Sequence, residues 1–229
     1  CHGGFVECAR ALLEANGAPD IGIDGVTPLL VACQGGHLKC VQLLLEASAA
    51  LEQADSDGYT PLHTVVQWGD TTPRQSIVCL LLKAAAAVDA LANLERTPLV
   101  LACDEGRQAC AQLLIAAKAS VNMVPTLGGT PLYRACNSGH VECARLLLDS
   151  KASLTYSQNG GTTPLHVACG LGSMECTLLL LEAKAEIDPV SEGFSAPYKR
   201  TPLIHAALLG RPETVALLLE YHASVTACT

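Results

Sequence analysis

Apolar residues are grouped along this chain in pairs of short clusters, and glycines separate the two members of a pair. Residues 28–33 (PLLVAC) form the first cluster of one such pair. Pro28 suits the first turn of a helix, where its missing N–H costs no hydrogen bond, and Thr27 before it is a natural N-cap. The second cluster, residues 41–45, has the spacing of an apolar stripe on a helix over residues 37–46. The pattern therefore predicts two short helices, neither of which can bury its apolar face without a stacked neighbour.

The pair of clusters belongs to a unit that repeats along the chain. Thr-Pro-Leu recurs at successive spacings of 33, 37, 33, 33 and 38, starting at Thr27, Thr60, Thr97, Thr130, Thr163 and Thr201. Around it lies a shared pattern, G-x-T-P-L-x-x-A-C-x-x-G-H-x-x-C-x-x-L-L-L-x-A-x-A, with its clearest copies from Gly25, Gly128 and Gly161. A fixed period with small excesses indicates a repeat array with loop insertions.

This pattern resembles the ankyrin repeat, and the resemblance covers essentially the whole chain. It implies an all-α solenoid in which each unit is a β-turn finger followed by two antiparallel helices. We expect a single domain over residues 1–229. It would hold a partial repeat over residues 1–24 and further repeats that start near residues 25, 58, 95, 128, 161 and 199.

The chain departs from the family pattern at the end of the second helix. The family usually has glycine there, because the backbone takes the left-handed conformation. Here we expect only Gly17 to fit, since the equivalent positions hold Ser48, Ala85, Lys118, Lys151, Lys184 and His222. Each of these residues should cost roughly 1 kcal/mol relative to glycine.

Both ends of the sequence fall inside a repeat. The last helix carries Leu217, Leu218 and Leu219, the apolar stripe of an internal repeat rather than a polar cap. Because solenoids need polar caps for solubility, we expect the natural protein to continue, at least on the C-terminal side.

Charge and hydropathy limit the classes of partner. The formal net charge is −8, from 22 acidic against 14 basic residues, and a protein that binds phosphate backbones usually has the opposite balance. We therefore expect no nucleic-acid partner. No run of 18 apolar residues occurs, so we predict no membrane-spanning helix in this segment.

Ten of the 12 cysteines in the chain occur in pairs seven residues apart. The pairs are Cys1/Cys8, Cys33/Cys40, Cys103/Cys110, Cys136/Cys143 and Cys169/Cys176. In the family these positions usually hold small core residues, and a buried free cysteine behaves as a small hydrophobe. This interpretation implies a reducing intracellular compartment, the cytoplasm first. Disulfides in an oxidising compartment are the alternative.

Histidine and cysteine spacings also suggest metal binding, but the repeat explains them. Cys33, His37 and Cys40 are spaced like metal ligands, yet a zinc site needs four converging ligands and each repeat offers three at most. His63 and His166 occupy a family position where the imidazole hydrogen-bonds within the turn. No nucleophile–base pair or glycine-rich phosphate loop is left over. We therefore predict no metal, no cofactor and no enzymatic activity.

Residues that the fold does not require are the candidates for partner binding. In ankyrin repeats the binding face is built from the β-turn tips and the ends of the first helices. The tip candidates are Asp57, Tyr59, Leu94 and Arg96, and the helix-end candidates are Trp68, Asp104, Glu105, Asn137 and Leu171. The same alignment places Ser138 and Leu208 at helix ends. Trp68 is the only tryptophan, and its alternative role is packing against a neighbouring insertion.

Two insertions interrupt the regular period. Four extra residues lie within residues 69–76, between the two helices of one repeat, and the other insertion lengthens the finger over residues 188–200. That finger adds Phe194 and Tyr198 to the binding candidates, beside the basic pair Lys199 and Arg200. A plain loop extension is the alternative.

The sequence thus predicts a protein-binding scaffold or a structural subunit of a larger assembly. The A-C-x-x-G-H variant also resembles ankyrin substrate receptors of ubiquitin ligases, whose C-terminal box does not lie within these residues. A regulatory repeat arm of a larger enzyme or channel is the third possibility.

Overall fold

The computed structural model describes residues 4–15, 17–23, 25–124, 129–156, 160–191 and 199–226. The chain divides into two compact units. Unit 1 comprises Cys1–Ala102 and Arg107–Ala119, and unit 2 comprises Cys103–Gly106 and Ser120–Thr229.

The described residues form helices in the predicted pairs. The first seven are α1 (Val6–Glu14), α2 (Pro28–Gly35), α3 (Leu38–Glu46), α4 (Pro61–Gln67), α5 (Thr72–Lys83), α6 (Pro98–Asp104) and α7 (Gln108–Ala116). The others are α8 (Pro131–Asn137), α9 (Val141–Asp149), α10 (Pro164–Leu171), α11 (Met174–Glu182), α12 (Pro202–Leu208) and α13 (Pro212–Glu220). The fold class is an all-α repeat solenoid, as predicted.

Helices of the same kind stack on one another within each unit. In unit 1 the first helix α2 packs on α4, while the second helices α1, α3, α5 and α7 pack in series. In unit 2 the first helices α8, α10 and α12 form one layer and the second helices α9, α11 and α13 form the other. The core lies between these layers and consists mainly of leucine, alanine, valine and cysteine side chains. None of the helices in the described ranges is long and apolar enough to cross a membrane.

Each Thr-Pro-Leu threonine begins a first helix as the sequence predicts. The hydroxyl of Thr27, for example, accepts a hydrogen bond from the backbone N–H of Leu30 (3.3 Å). Pro28 occupies the first turn, and Gly36 ends the helix in the left-handed conformation, with φ of 70°. The threonine side chains are buried, so the cap satisfies a backbone group that water cannot reach.

His63 and His166 close the helix starts in a second way, and they also link consecutive repeats. His166 Nδ1 accepts from the backbone N–H of Thr163 (3.1 Å), and its Nε2 donates to the carbonyl oxygen of Arg200 (3.0 Å). His63 makes the same contacts with Thr60 (3.4 Å) and Arg96 (2.9 Å). The prediction that these imidazoles bond within the turn is confirmed, and the link to the next finger is new.

The second helices end in the left-handed conformation that the repeat predicts, although glycine is absent there. The φ angles lie between 60° and 70° at Ser48, Ala85, Lys118, Lys151, Lys184 and His222. The prediction for Gly17 was wrong, because its φ lies outside the left-handed region. Its N–H bonds the carbonyl of Leu12, as that of Ala49 bonds Leu44, so Gly17 is the equivalent of Ala49. The equivalent of Ser48 is Asn16, which lies outside the described residues.

Two series of hydrogen bonds join consecutive repeats within each unit. At the start of the second helices, a basic side chain donates to the carbonyl that ends the preceding first helix: Arg74 to Gln34 (2.9 Å), Arg107 to Gln67 (3.3 Å), His140 to Asp104 (3.1 Å) and Arg211 to Gly170 (3.1 Å). After the second helices, a polar side chain accepts from the next repeat's backbone: Asp20 from Ala50, Glu52 from Ala87, Asn122 from Ser153 and Asp188 from Ser224.

Candidate functional site

The second finger of unit 1 contains Asp57 and Tyr59, and the structure gives them different surroundings. The carboxylate of Asp55 accepts from the backbone N–H groups of Asp57 (3.0 Å) and Tyr59 (2.9 Å), which fixes the turn. The Tyr59 ring stacks on His63, with ring centroids 5.7 Å apart and an interplanar angle of 8°. Tyr59 is therefore partly buried and supports the finger, whereas Asp57 is exposed at its tip.

The third finger presents Leu94 through a strained turn. Leu94 and Glu95 are consecutive non-glycine residues with φ of 62° and 55°, in a region that costs roughly 1–2 kcal/mol per residue. Asn93 N–H donates to the Asp57 carbonyl (3.0 Å), so the two fingers are joined. Leu94 is exposed, while Arg96 is partly buried and its carbonyl oxygen receives the His63 hydrogen bond.

Trp68 ends α4, the first helix of the repeat that contains Tyr59, and is 52% exposed. The neighbouring insertion does not form a long loop beside it. Its extra residues lengthen the second helix, α5, to 12 residues, against 9 in α3 and α7. Half of the indole surface therefore stays open, which is the property expected of an interface anchor.

The short connection before α5 has a structural role that the sequence did not reveal. The two carboxylate oxygens of Asp70 accept from the backbone N–H groups of Ala109 (2.8 Å) and Cys110 (3.0 Å), in the first turn of α7. Asp70 therefore acts as an N-cap for the second helix of the following repeat. Its negative charge also interacts favourably with the positive, N-terminal end of the helix dipole.

We expect Asp70→Ala to lower the free energy of unfolding by about 2 kcal/mol, because two partly buried N–H groups lose a charged acceptor. Asp70→Asn, which keeps one acceptor oxygen, should lose less. Urea titrations followed by far-UV circular dichroism measure both changes. Asp57→Ala is the matched control, since that carboxylate is exposed, and it should stay within about 0.5 kcal/mol of the parent. Equal effects of all three substitutions would show that the cap does not hold in solution.

The helix-end candidates in unit 2 lie in one register, and we call them the helix-one row. These residues stand seven or eight positions after the helix-capping threonine, and they are Asp104, Glu105, Asn137, Ser138, Leu171, Leu208 and Leu209. Asp104 is partly buried and the other members are exposed. Leu209 was missed by the sequence analysis, although its distance from Thr201 equals that of Leu171 from Thr163.

The lengthened finger of unit 2 is described only at its base. Ser191 and Arg200 pair through two backbone hydrogen bonds of 2.9 Å, each N–H donating to the other residue's carbonyl oxygen. The predicted binding residues Phe194 and Tyr198 lie outside the described residues. The exposed side chain of Lys199 follows them.

The cysteines occupy core positions in most of the array. Ten free thiols occur in the described ranges, and the eight in the pairs from Cys33 to Cys176 are buried. Cys8 is an exception to the core interpretation, because it is exposed on α1. Burial raises the pKa of the Cys169 thiol to about 12, whereas a hydrogen bond from Cys136 lowers the pKa of Cys176 to about 7. Among the described residues, no three His, Cys, Asp or Glu side chains are grouped as metal ligands would be.

Comparisons with known proteins agree with the repeat architecture. A family model described as ankyrin repeats (3 copies) matches residues 1–92, 73–158 and 154–228. The crystal structure of the human ASB11 ankyrin repeat domain is similar, with a TM-score of 0.76 and 26% sequence identity, over 87% of this chain and 86% of that one. No curated protein sequence matches the chain. The repeat pattern, the helix pairs and the family model together show that this chain belongs to the ankyrin repeat family.

Proposed function

We propose that this protein is a binding scaffold that holds a partner protein through its fingers and the ends of its first helices. Ankyrin repeats are generally non-catalytic modules for protein–protein interaction. The observation that carries the proposal is the exposure of large side chains at positions where the fold needs none. Trp68, Leu94, Leu171 and Leu208 are all exposed, and large apolar side chains at the surface are typical of interaction sites.

In unit 1 the proposed contact residues are Asp57, Leu94 and Trp68. Tyr59 and Arg96 support the fingers instead, because the Tyr59 ring stacks on His63 and the Arg96 carbonyl accepts a hydrogen bond from His63. A contact spread over several fingers fits an interface in which a few anchors dominate the binding energy. In unit 2 the helix-one row has the same role.

The chemistry of the remaining titratable groups supports a scaffold without catalysis. The imidazoles of His63 and His166 each hydrogen-bond a threonine and a backbone carbonyl. Burial is the main cause that lowers the pKa of each. Burial raises the pKa of the Cys33 and Cys169 thiols, which makes them weaker nucleophiles. A core filled with free thiols also supports our expectation of a reducing intracellular compartment, the cytoplasm first.

Two narrower roles are also proposed, and the A-C-x-x-G-H variant motivates the first of them. The chain would serve as the substrate-recognition part of a ubiquitin ligase, or as the regulatory arm of a larger enzyme or channel. Both use the same partner-binding surfaces. Co-purification of ligase subunits or of a catalytic chain with the full-length protein would separate these roles from that of a structural subunit.

The test of the scaffold proposal is affinity capture from native extract with three baits. The first is the parent, and the second carries Asp57→Lys, Trp68→Ala and Leu94→Asn, where asparagine tolerates the left-handed turn. The matched control changes exposed second-helix residues instead, as Lys39→Ala, Gln42→Ala and Lys83→Ala. We expect quantitative mass spectrometry to find a partner with the parent and the control but not with the second bait. Identical capture by all three folded baits would refute the assigned surface.

A further inference from the structure

The helix-one row changes chemical character from one end to the other. It begins with the acidic pair Asp104 and Glu105, continues through Asn137 and Ser138, and ends with three leucines. Leu171 is 44% exposed, and Leu208 and Leu209 are 61% and 52% exposed. Leucines at this level of exposure in adjacent repeats form an apolar patch, which marks an interaction surface more often than a single exposed leucine does.

Contacts between neighbouring repeats make the row continuous. The Ser138 hydroxyl donates to the Asp104 carboxylate (3.1 Å). Further along, the Leu171 side chain lies over Gly139, where an added Cβ would be 3.2 Å from Cδ2 of the leucine. Leu209 covers Gly170 in the same way, at 3.1 Å. Glycine at these two positions therefore leaves room for the leucines to lie along the surface.

The distance spanned by the row sets the size of a matching partner. It crosses three repeat steps, and packed helices are spaced about 8–10 Å apart, so the row is roughly 25–30 Å long. An α-helix of about 18 residues has this length. Arg211 stands at the apolar end, where its Nε donates to the carbonyl of Gly170, so this guanidinium is held against the backbone.

We propose that the helix-one row binds a helical partner segment of matching length, with basic side chains at one end and apolar side chains at the other. The basic end faces Asp104 and Glu105, and the apolar end covers the three leucines. Complementary charge fixes the direction of the segment, while burial of the leucines supplies most of the affinity. This inference rests on the proposed scaffold function and adds the chemistry of the partner.

The test uses the whole chain and three synthetic helical peptides, each about 18 residues long to match the row at the rise of an α-helix. The first has four lysines at one end and four leucines at the other, the second has glutamate in place of lysine, and the third has the composition of the first with lysine and leucine intermixed. Fluorescence anisotropy measures their affinities at low ionic strength, where screening is weak. We expect the lysine–leucine peptide to bind at least about tenfold more tightly than either of the others.

Variants of the row assign the two ends. Leu208→Gln with Leu209→Gln should weaken the lysine–leucine peptide by about tenfold or more, and Glu105→Lys should weaken it while strengthening the glutamate peptide. These side chains are exposed, and circular dichroism confirms that the variants fold. Absence of binding, equal affinity for all three peptides, or indifference to the substitutions would overturn the proposal. If a partner captured from extract depends on the row while the peptides fail, the scaffold function stands and the assigned polarity is wrong.

Discussion

Replacing Leu147 with alanine should lower the free energy of unfolding by about 2–5 kcal/mol, whereas Leu12→Ala should change it by less than about 0.5 kcal/mol. The two leucines are equivalent in the repeat. Leu147 is fully buried, but Leu12 is 67% exposed. The other residues at this repeat position are at most 2% exposed, and they are Leu44, Leu81, Leu114, Leu180 and Leu218. Truncating Leu147 leaves a cavity between packed helices, and truncating Leu12 removes contacts mainly with water.

Urea unfolding followed by circular dichroism measures both variants, with far-UV spectra of the native states as the check on folding. The comparison is internally matched, because the same substitution is made at the same repeat position. A cost for Leu12→Ala as large as that of a buried leucine, about 2 kcal/mol or more, would contradict the prediction and would mean that this leucine is covered in solution.

Acid should destabilise the protein through His166. Burial, followed by the charge of His205, lowers the pKa of His166 from 6.5 to about 4. The native state therefore binds fewer protons than the unfolded state in this range, so the stabilisation is complete above pH 6.5 and is lost as the pH falls towards 4. The lost free energy is about 3 kcal/mol. The geometry gives the reason, because protonated Nδ1 would direct an N–H at the N–H of Thr163.

Chemical unfolding at pH 7 and at pH 4.5 tests this expectation in the parent and in His166→Gln. Glutamine can still complete the capping box with Thr163 but does not titrate. The parent should lose more stability than the variant between the two pH values, by roughly 2–3 kcal/mol. His63, whose pKa burial also lowers, is present in both proteins and cancels in the difference. Parallel losses in the two proteins would disprove the role of His166.

The regular part of the fold could be predicted because the period copies geometry from repeat to repeat. The Thr-Pro-Leu threonine identified the starts of all six first helices that it precedes. The repeat also placed Lys118 and Lys151 at the left-handed position after the second helix, although neither residue is a glycine. Where the alignment had no Thr-Pro-Leu to fix it, as before residue 25, the register slipped by one residue and Gly17 was misassigned.

Contacts that depend on the insertions could not be predicted. Four extra residues between two helices are typical of a loop, but here α5 is three residues longer than α3 and α7. The connection before α5 contains Asp70, whose carboxylate caps α7. A carboxylate about 40 residues from the helix that it caps leaves no local sequence signal.

The candidate site was only partly accessible from the sequence, because family position does not determine exposure. Tyr59 and Trp68 were equivalent aromatic candidates, but one ring stacks on His63 and the other is open. The continuity of the helix-one row depends on Gly139 and Gly170, two residues without side chains of their own.

The hydrogen bonds between consecutive repeats have a consequence for how fast such a chain folds. Every bond in the two series described above joins residues 30 to 41 positions apart, in the first and last repeats alike. The entropy of loop closure depends on the number of residues enclosed. Adding a repeat therefore requires closing a loop of about 30–40 residues, and this length does not depend on how many repeats are already folded. The folding barrier should therefore reflect one nucleating repeat pair, and lengthening the array should change its relaxation rate little.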